Sequence, residues 1–362
     1  MPCYNEEETC EDTIEALMES KYPNYEVIAI NDGSTDRTSE LLNALIARFP
    51  RLRVIHQLQN QGKAVGLNTA ALMTQAEILV GIDGDARLDP HALHWLVRHF
   101  DDQAVGAVTG NPRIRNRSTL LGRIQVGEFS SIVGLIKRAQ RSLGLIFTVS
   151  GVVTAFRRSA LHSAGYWSPE KLTEDVDVTW KLMMDGWEIR YEPRALCWIL
   201  MPETLSGLWK QRLRWAMGGT QVLLDYWKDI FSPRHARLWP IAIEYGVSVT
   251  WACLLFLLTG YRLLDLITVR TDLQSVPILM LGWGSMLIAT TGLAQMLLCM
   301  ALERPYDHKL LKYYFWAIWY PLSYWLLTAC TAAIAVPKVL LRDKERRATW
   351  TSPDRGIRPD SH

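Results

Sequence analysis

Cysteine is sparse in this 362-residue chain: six residues, with no Cys-x-x-Cys pair. That argues against a zinc ribbon or a disulfide framework and fits a reducing compartment. An excess of either charge is also lacking. The net charge is +2, so no global field points to nucleic acid as a partner. No secretory signal-peptide pattern opens the chain. An apolar strand is missing ahead of Met1-Pro2-Cys3-Tyr4-Asn5-Glu6-Glu7, a stretch that reads as the loop ending the first strand of a nucleotide-binding sheet. The expectation is therefore of a start that is truncated or misassigned. Tryptophan, by contrast, is abundant. Many of the fifteen lie at the edges of apolar segments, where membrane interfaces place them.

Up to about residue 200 the pattern alternates. Helical periodicity covers Thr9–Ser20, Thr38–Arg48, Lys63–Gln75 and Pro90–Phe100. Short apolar runs at Val27–Ile30, Val54–Ile55, Ile78–Ile82 and Val105–Val108 read as strands, as does Phe147–Val149. Short β-branched runs between helices predict βαβ units and a largely parallel sheet. Ligands of such sheets sit at the carboxyl ends of the strands, just where Asp32 and Asp83 fall. Further on, residues 175–185 and 205–227 read as helices, with 189–191 and 196–199 extended.

Residues 113–143 set Arg113, Arg115, Arg117, Arg123, Lys137, Arg138 and Arg141 against a single acid, Glu128. Apolar residues between them predict an amphipathic helical stretch. Its basic face is either solvated or meets anionic lipid or a regulatory ligand. Long apolar segments follow at Trp239–Leu263, Val276–Leu302 and Tyr313–Val336. Each approaches or exceeds the ~20 residues that span a bilayer. Glu244 marks the end of the first or a channel-facing position, and Pro321 predicts a kink in the third. His91, His94 and His99 do not share one helical face and read as surface residues.

Four signatures carry chemistry. Asp32, in Asn31-Asp32-Gly33-Ser34, follows a strand; it either accepts hydrogen bonds from a base or ribose, or serves ordinary turn chemistry. Asp83-Gly84-Asp85 ends the most apolar strand; two carboxylates one residue apart suit Mg²⁺ or Mn²⁺ bridged to a diphosphate. Thr173-Glu174-Asp175 opens a helix, which is good capping chemistry and also a place for a general base. Gln211, Arg212, Arg214 and Trp215 lie within about one helical turn. Arg214 could meet a departing diphosphate, and Trp215 offers a flat face to a sugar ring. Lys63 follows Gly62 at a helix start, near a phosphate or merely solvated.

Taken in this order, the signatures resemble the D, DxD, TED, QxxRW series of processive family 2 glycosyltransferases, the membrane synthases of cellulose, chitin, hyaluronan and poly-N-acetylglucosamine. Stretches such as Val108–Arg115, Trp198–Leu205 and Trp350–Gly356 most resemble the branch that builds β-1,6-linked N-acetylglucosamine polymers. The resemblance covers nearly the whole chain. It implies an α/β fold with a GT-A (Rossmann-like) catalytic domain over 1–203, an interfacial helix region over 204–237, transmembrane helices over 238–337 and a basic tail over 338–362. It implies UDP-N-acetylglucosamine as donor and a growing polysaccharide as acceptor. Pro2, Tyr4, Glu6, Asp32, Lys63 and Asp83 would hold the donor and Asp85 the metal. Asp175 would be the base. Glu174, Gly151, Gln211, Arg212, Arg214 and Trp215 would face the acceptor and diphosphate. It further implies upstream membrane helices, a small membrane partner subunit with cyclic di-GMP control, and a bacterial inner-membrane enzyme whose catalytic domain is cytoplasmic. Three spans conflict with a basic cytoplasmic tail, so one apolar segment is interfacial or re-entrant. A hyaluronan, chitin or cellulose type of synthase, a single-sugar transferase to a lipid carrier, and a non-catalytic membrane scaffold are the rival readings.

Overall fold

The structure is a computed structural model that describes residues 1–269, 283–320, 324–343 and 347–349. Three strands, β1 (Pro2–Cys3), β2 (Val27–Asp32) and β3 (Leu52–Gln57), form a parallel sheet in that order. All six residues of β2 are buried, as a strand covered on both faces requires. The crossovers are α1 (Cys10–Met18) and α2 (Thr38–Arg48), and α3 (Lys63–Leu72) follows β3. Pro2 was expected in a loop; it lies instead in β1, paired with Ile30.

The second sheet departs from the expected parallel arrangement. It contains β4 (Ile78–Ile82), β5 (Arg87–Leu88), β6 (Val105–Ile114), β7 (Val153–Arg157) and β8 (Glu188–Ile199), in the order β4-β7-β6-β8-β5. Only β6 and β8 run parallel; β7 is antiparallel to both β4 and β6. β8 joins the two extended stretches expected at 189–191 and 196–199. Phe147–Val149, expected as a strand, makes no ladder. Its amides are satisfied by side chains: Phe147 N donates to Gln140 Oε1 (3.1 Å) and Val149 N to Thr179 Oγ1 (3.0 Å). Helix α4 (Ala92–Val97) follows β5. His99, expected at the surface, is largely buried and hydrogen-bonds Glu192 at 2.9 Å.

Residues 113–143 do become helical, as α5 (Leu120–Phe129), a π-helical turn (Ser130–Ile136) and α6 (Lys137–Ser142). They do not form one solvated face: Arg113 and Lys137 are buried, Arg115 and Arg141 are exposed, and several of the charges meet acids or rings of the chain itself. Buried Arg113 stands 3.2 Å from Glu303, Arg138 is 2.7 Å from Glu303 and Arg117 is 2.5 Å from Asp307. Arg115 pairs with Asp12 at 2.6 Å, and the Arg123 guanidinium lies over the Trp316 ring. The distant acids that neutralise this run could not be foreseen from local pattern.

Four more helices carry the C-terminal half: after α7 (Arg158–Ser163) and α8 (Glu174–Met184) come α9 (Leu205–Ile230), α10 (Trp239–Val269), α11 (Trp283–Glu303) and α12 (Trp325–Leu340). Among the described residues one helical stretch, Pro233–Asp265, is long and apolar enough to cross a membrane; Ala289–Glu303 and Trp325–Leu340 are shorter apolar helices. Glu244 is exposed near the start of α10. The third expected span is not one helix. Leu310–Trp319 forms a 3₁₀ segment before α12, and its Trp316 packs with Tyr320 and Tyr324 against Ile124 of α5 and Leu208 of α9. Pro321 lies outside the described residues, as does Trp350–Gly356.

Candidate active site

Three chain segments that are distant in sequence converge on the ammonium group of a fourth. Lys63 Nζ, at the start of α3, lies 2.6 Å from Asp83 Oδ1 and 3.0 Å from Glu174 Oε1, and donates to the Gly151 carbonyl at 3.0 Å. Burial works to lower the Lys63 pKa, but Asp83 and Glu174 overcome it and raise it. Burial raises the Asp83 carboxyl, which Lys63 partly offsets. For Glu174 the balance is reversed: burial pushes up, while Lys63 and Arg214 pull harder and hold it below the usual range. Lys63 is thus a structural part of the site and not a solvated helix start.

Asp175, one residue on, is pushed up to about 6, first by burial and then by the Glu174 charge, with Lys63 and Arg214 opposing. That places its ionisation close to working pH, as a general base needs. Its Oδ1 accepts from its neighbour's amide, Val176 N, at 2.9 Å. A small cavity of about 10 Å³ lies against Asp175, Glu174, Ser150 and Gly151, walled by Leu67, Val149, Phe156 and Trp167. Gly151 is a close-approach position. A β-carbon there would stand 3.1 Å from Asp175 Oδ2 and 3.3 Å from Lys63 Nζ.

The turn carrying Gly151 is pinned from below by a residue the motif pattern did not flag. Thr109 Oγ1, on β6, accepts from Ser150 N at 2.8 Å and faces the buried Lys137 ammonium at 3.4 Å. Burial lowers the Lys137 pKa to about 8, with Asp175 opposing. Thr173 was read as a helix cap, but its hydroxyl caps nothing; it is pressed against Gly218 of α9. The Gly218-Gly219 pair, overlooked in the sequence, is what lets α9 approach α8 on one side and Tyr245 of α10 on the other.

Other expected residues take different places. Asp32 is fully buried; its Oδ1 accepts from Gln61 N and its Oδ2 from Gly62 N, both at 2.8 Å. It therefore fixes the loop that delivers Lys63, and burial raises its carboxyl while those amides oppose. Glu6 is also buried and accepts from Thr9 Oγ1 at 2.6 Å, a structural use. Pro2 packs beneath Gly66 of α3, and Tyr4 is half-buried. Asp85 is half-buried at the end of β4, beside Asp83. Arg214 is exposed and faces Leu172 O at 3.4 Å, close enough to act on both Glu174 and Asp175. Gln211 and Trp215 are half-buried on the same helix. Arg212 is buried in a fork with Glu128, at 2.7 and 2.6 Å, and its guanidinium lies against the Trp215 ring.

The comparisons decide the class. The family model "Glycosyltransferase like family 2" matches residues 1–218. The chain belongs to glycosyltransferase family 2. Over 363 aligned residues, 98% of this chain and 86% of its relative, it is 39% identical to the poly-beta-1,6-N-acetyl-D-glucosamine synthase of Staphylococcus epidermidis. The synthase of the same name from Staphylococcus aureus strain COL is also 39% identical, over 98% of this chain and 86% of that one. Among solved structures, a mannosyltransferase from Pyrobaculum calidifontis in complex with GDP-Man and Mn²⁺ superposes with a TM-score of 0.67 at 21% identity, covering 94% of this chain and 85% of that one. The glycosyltransferase thus has the GT-A fold, with a mixed sheet in place of the expected largely parallel one.

Proposed function

We propose that this glycosyltransferase is a processive, inverting N-acetylglucosaminyltransferase of the bacterial inner membrane, which extends a β-1,6-linked polymer from UDP-N-acetylglucosamine. The observation that carries the reading is the Lys63 cluster, which gathers Asp83, Glu174 and the Gly151 turn and sets Asp175 beside them. The identity to the staphylococcal synthases supports the sugar and the linkage.

In this reading Asp175 takes the proton of the acceptor hydroxyl as that oxygen attacks the anomeric carbon. Attack from the face opposite the leaving diphosphate inverts the centre. Arg214 stands where it can stabilise the departing charge. Trp215 offers the acceptor ring an apolar face, and Gln211 and Gly151 border the acceptor path. Pro2, Tyr4, Glu6, Asp32 and Asp83 border or support the donor side, with Asp32 and Glu6 acting through the loops they hold.

A divalent cation, Mg²⁺ or Mn²⁺, fits Asp85. Among the described residues no group of three or more His, Cys, Asp or Glu could hold a metal. Such ions are commonly bound by one or two carboxylates completed by substrate phosphates. Asp83 is engaged by Lys63, and the resemblance to the synthases gives Asp85 the role of principal ligand. When bound, the cation would neutralise diphosphate charge.

The membrane placement rests on Pro233–Asp265 and the apolar faces of α11 and α12. Beyond α12, Arg342 donates to Glu170 O at 3.3 Å, and Ala348 N to Pro169 O at 2.9 Å. The tail thereby returns to the catalytic side, which supports an even number of crossings. A small membrane partner subunit and cyclic di-GMP control belong to the same proposal and rest on the resemblance to these synthases.

The test is to incubate membranes holding the protein with labelled UDP-sugars and Mg²⁺, then digest the product with linkage-specific hydrolases. A polymer of N-acetylglucosamine cleaved only by a β-1,6-specific enzyme is expected. A single-sugar product, or a preference for another donor, overturns the reading.

A further inference from the structure

The segment Gln211–Trp215 contains two arginines with different surroundings. Arg214 is exposed on the side of the acids, whereas Arg212 is 7% exposed and Glu128 of α5 only 1%. Arg212 Nη1 and Nη2 donate to Glu128 Oε1 and Oε2 at 2.7 and 2.6 Å, a two-bond fork that fixes the plane of the guanidinium. That plane lies under the Trp215 ring, 4.6 Å from its centroid, with the Tyr324 ring at 5.9 Å. Residues three apart on a helix share a face, so the contact between Arg212 and Trp215 is built into α9.

We propose that Glu128 is a positioning residue of the acceptor site, acting through Arg212, which it holds as a pedestal beneath the Trp215 ring. The inference rests on the reading of Trp215 as the acceptor platform and goes beyond it by naming what holds the platform still. A stacking surface helps only if its plane is preset, because an error of about 1 Å in placement can cost about a hundredfold in rate. Stability alone does not explain the pair. A buried ion pair is often no more stable than apolar residues of the same volume, and its best-attested use is to fix one geometry among several. Here the fixed geometry is that of an aromatic ring at the site.

The test uses the full chain in membranes, with a β-1,6-linked N-acetylglucosamine oligosaccharide as acceptor probe. UDP release is followed with and without that probe. Glu128→Gln keeps the shape but loses the fork. Its acceptor KM should rise about tenfold, while acceptor-free UDP release stays within about twofold of the parent. Glu128→Met/Arg212→Met removes both charges together. It should fold with a Tm at or above the parent and show the same rise in acceptor KM. In a Trp215→Ala background, Glu128→Gln should add nothing further. An unchanged acceptor KM in the folded double variant overturns the proposal, as does an effect that multiplies with Trp215→Ala. If Trp215→Ala by itself leaves the acceptor KM unchanged, the platform reading fails and the pedestal falls with it. A rise with Trp215→Ala but none with Glu128→Gln overturns the pedestal alone. Should the double variant not fold, Arg212→Lys, which keeps charge without the fork, carries the same expectation.

Discussion

Gly218 of α9 is packed directly on the side chain of Thr173, the residue that opens α8; a β-carbon at position 218 would occupy the space of the Thr173 hydroxyl and methyl. The Thr-Glu-Asp signature is therefore packed against the helix that carries Gln-x-x-Arg-Trp. Gly218→Ala should push α9 away from α8, a strain of about 1–3 kcal/mol. The measurement is thermal unfolding together with polymer yield, and both should fall. Full retention of both would mean that the helices can separate without cost.

Lys63 neutralises two carboxylates within salt-bridge distance, both largely buried. Lys63→Ala removes the ammonium from both charges, leaving Asp83 without it and Glu174 with Arg214 alone opposing its burial. Breaking such a pair on one side costs about 3–5 kcal/mol. We expect a strongly destabilised protein with no detectable transfer. Lys63→Arg should not restore activity, because a planar fork cannot occupy the place of a compact ammonium. Wild-type turnover in the arginine variant would remove Lys63 from the site.

Asp175 titrates at about 6 in the folded chain against an ordinary value of 3.8. As the proposed base Asp175 must be ionised, so transfer should decline as pH falls through about 6, and the pH profile of kcat/KM measures it. Stability moves in the opposite sense. A raised carboxyl pKa means the folded state binds the proton more tightly, so ionised Asp175 costs stability. The cost is absent below the unfolded value, grows between about 3.8 and 6, and is constant above. Asp175→Asn should therefore abolish synthesis yet raise Tm at pH 7.5, with the gain vanishing near pH 4. A loss of Tm at neutral pH would contradict the assigned environment.

Gly151→Ala places a methyl 3.1 Å from Asp175 Oδ2 and 3.3 Å from Lys63 Nζ. The contact is tight but yielding, so the fold should survive while the Asp175 carboxylate is displaced. A drop of about ten- to a hundredfold in kcat is expected, with a Tm near that of the parent. A normal kcat would show that Asp175 tolerates the shift.

Asp85→Ala should weaken metal-dependent donor binding, because it removes the carboxylate to which the proposal assigns the cation. UDP-sugar binding across a Mn²⁺ titration checks this. Identical curves for parent and variant would remove Asp85 as a ligand.

Local structure is legible in the chain without a fold. Helix α2 begins and ends where its periodicity predicts, at Thr38–Arg48, and β4 matches Ile78–Ile82. Asp83, Asp175 and Arg214 stand out in the sequence because each follows a strand end or sits on a helix with a recognisable signature, and the fold brings all three close to Lys63 or Glu174. Those signatures depend on neighbours a few residues away. What the fold decided depends on partners far along the chain. Thr154 and Arg157 interrupt the apolar run of β7, so its place between β4 and β6 is set by pairing and not by pattern. Glu303 lies 190 residues from Arg113, and only their shared burial turns an apparently basic face into an internal lock. Arg212 and Arg214 look equivalent in sequence. They part company because α9 turns one toward Glu128 and the other toward the acids. A helical period of 3.6 residues places side chains two apart on opposite sides, but which side holds the substrate is known only once the helix is packed.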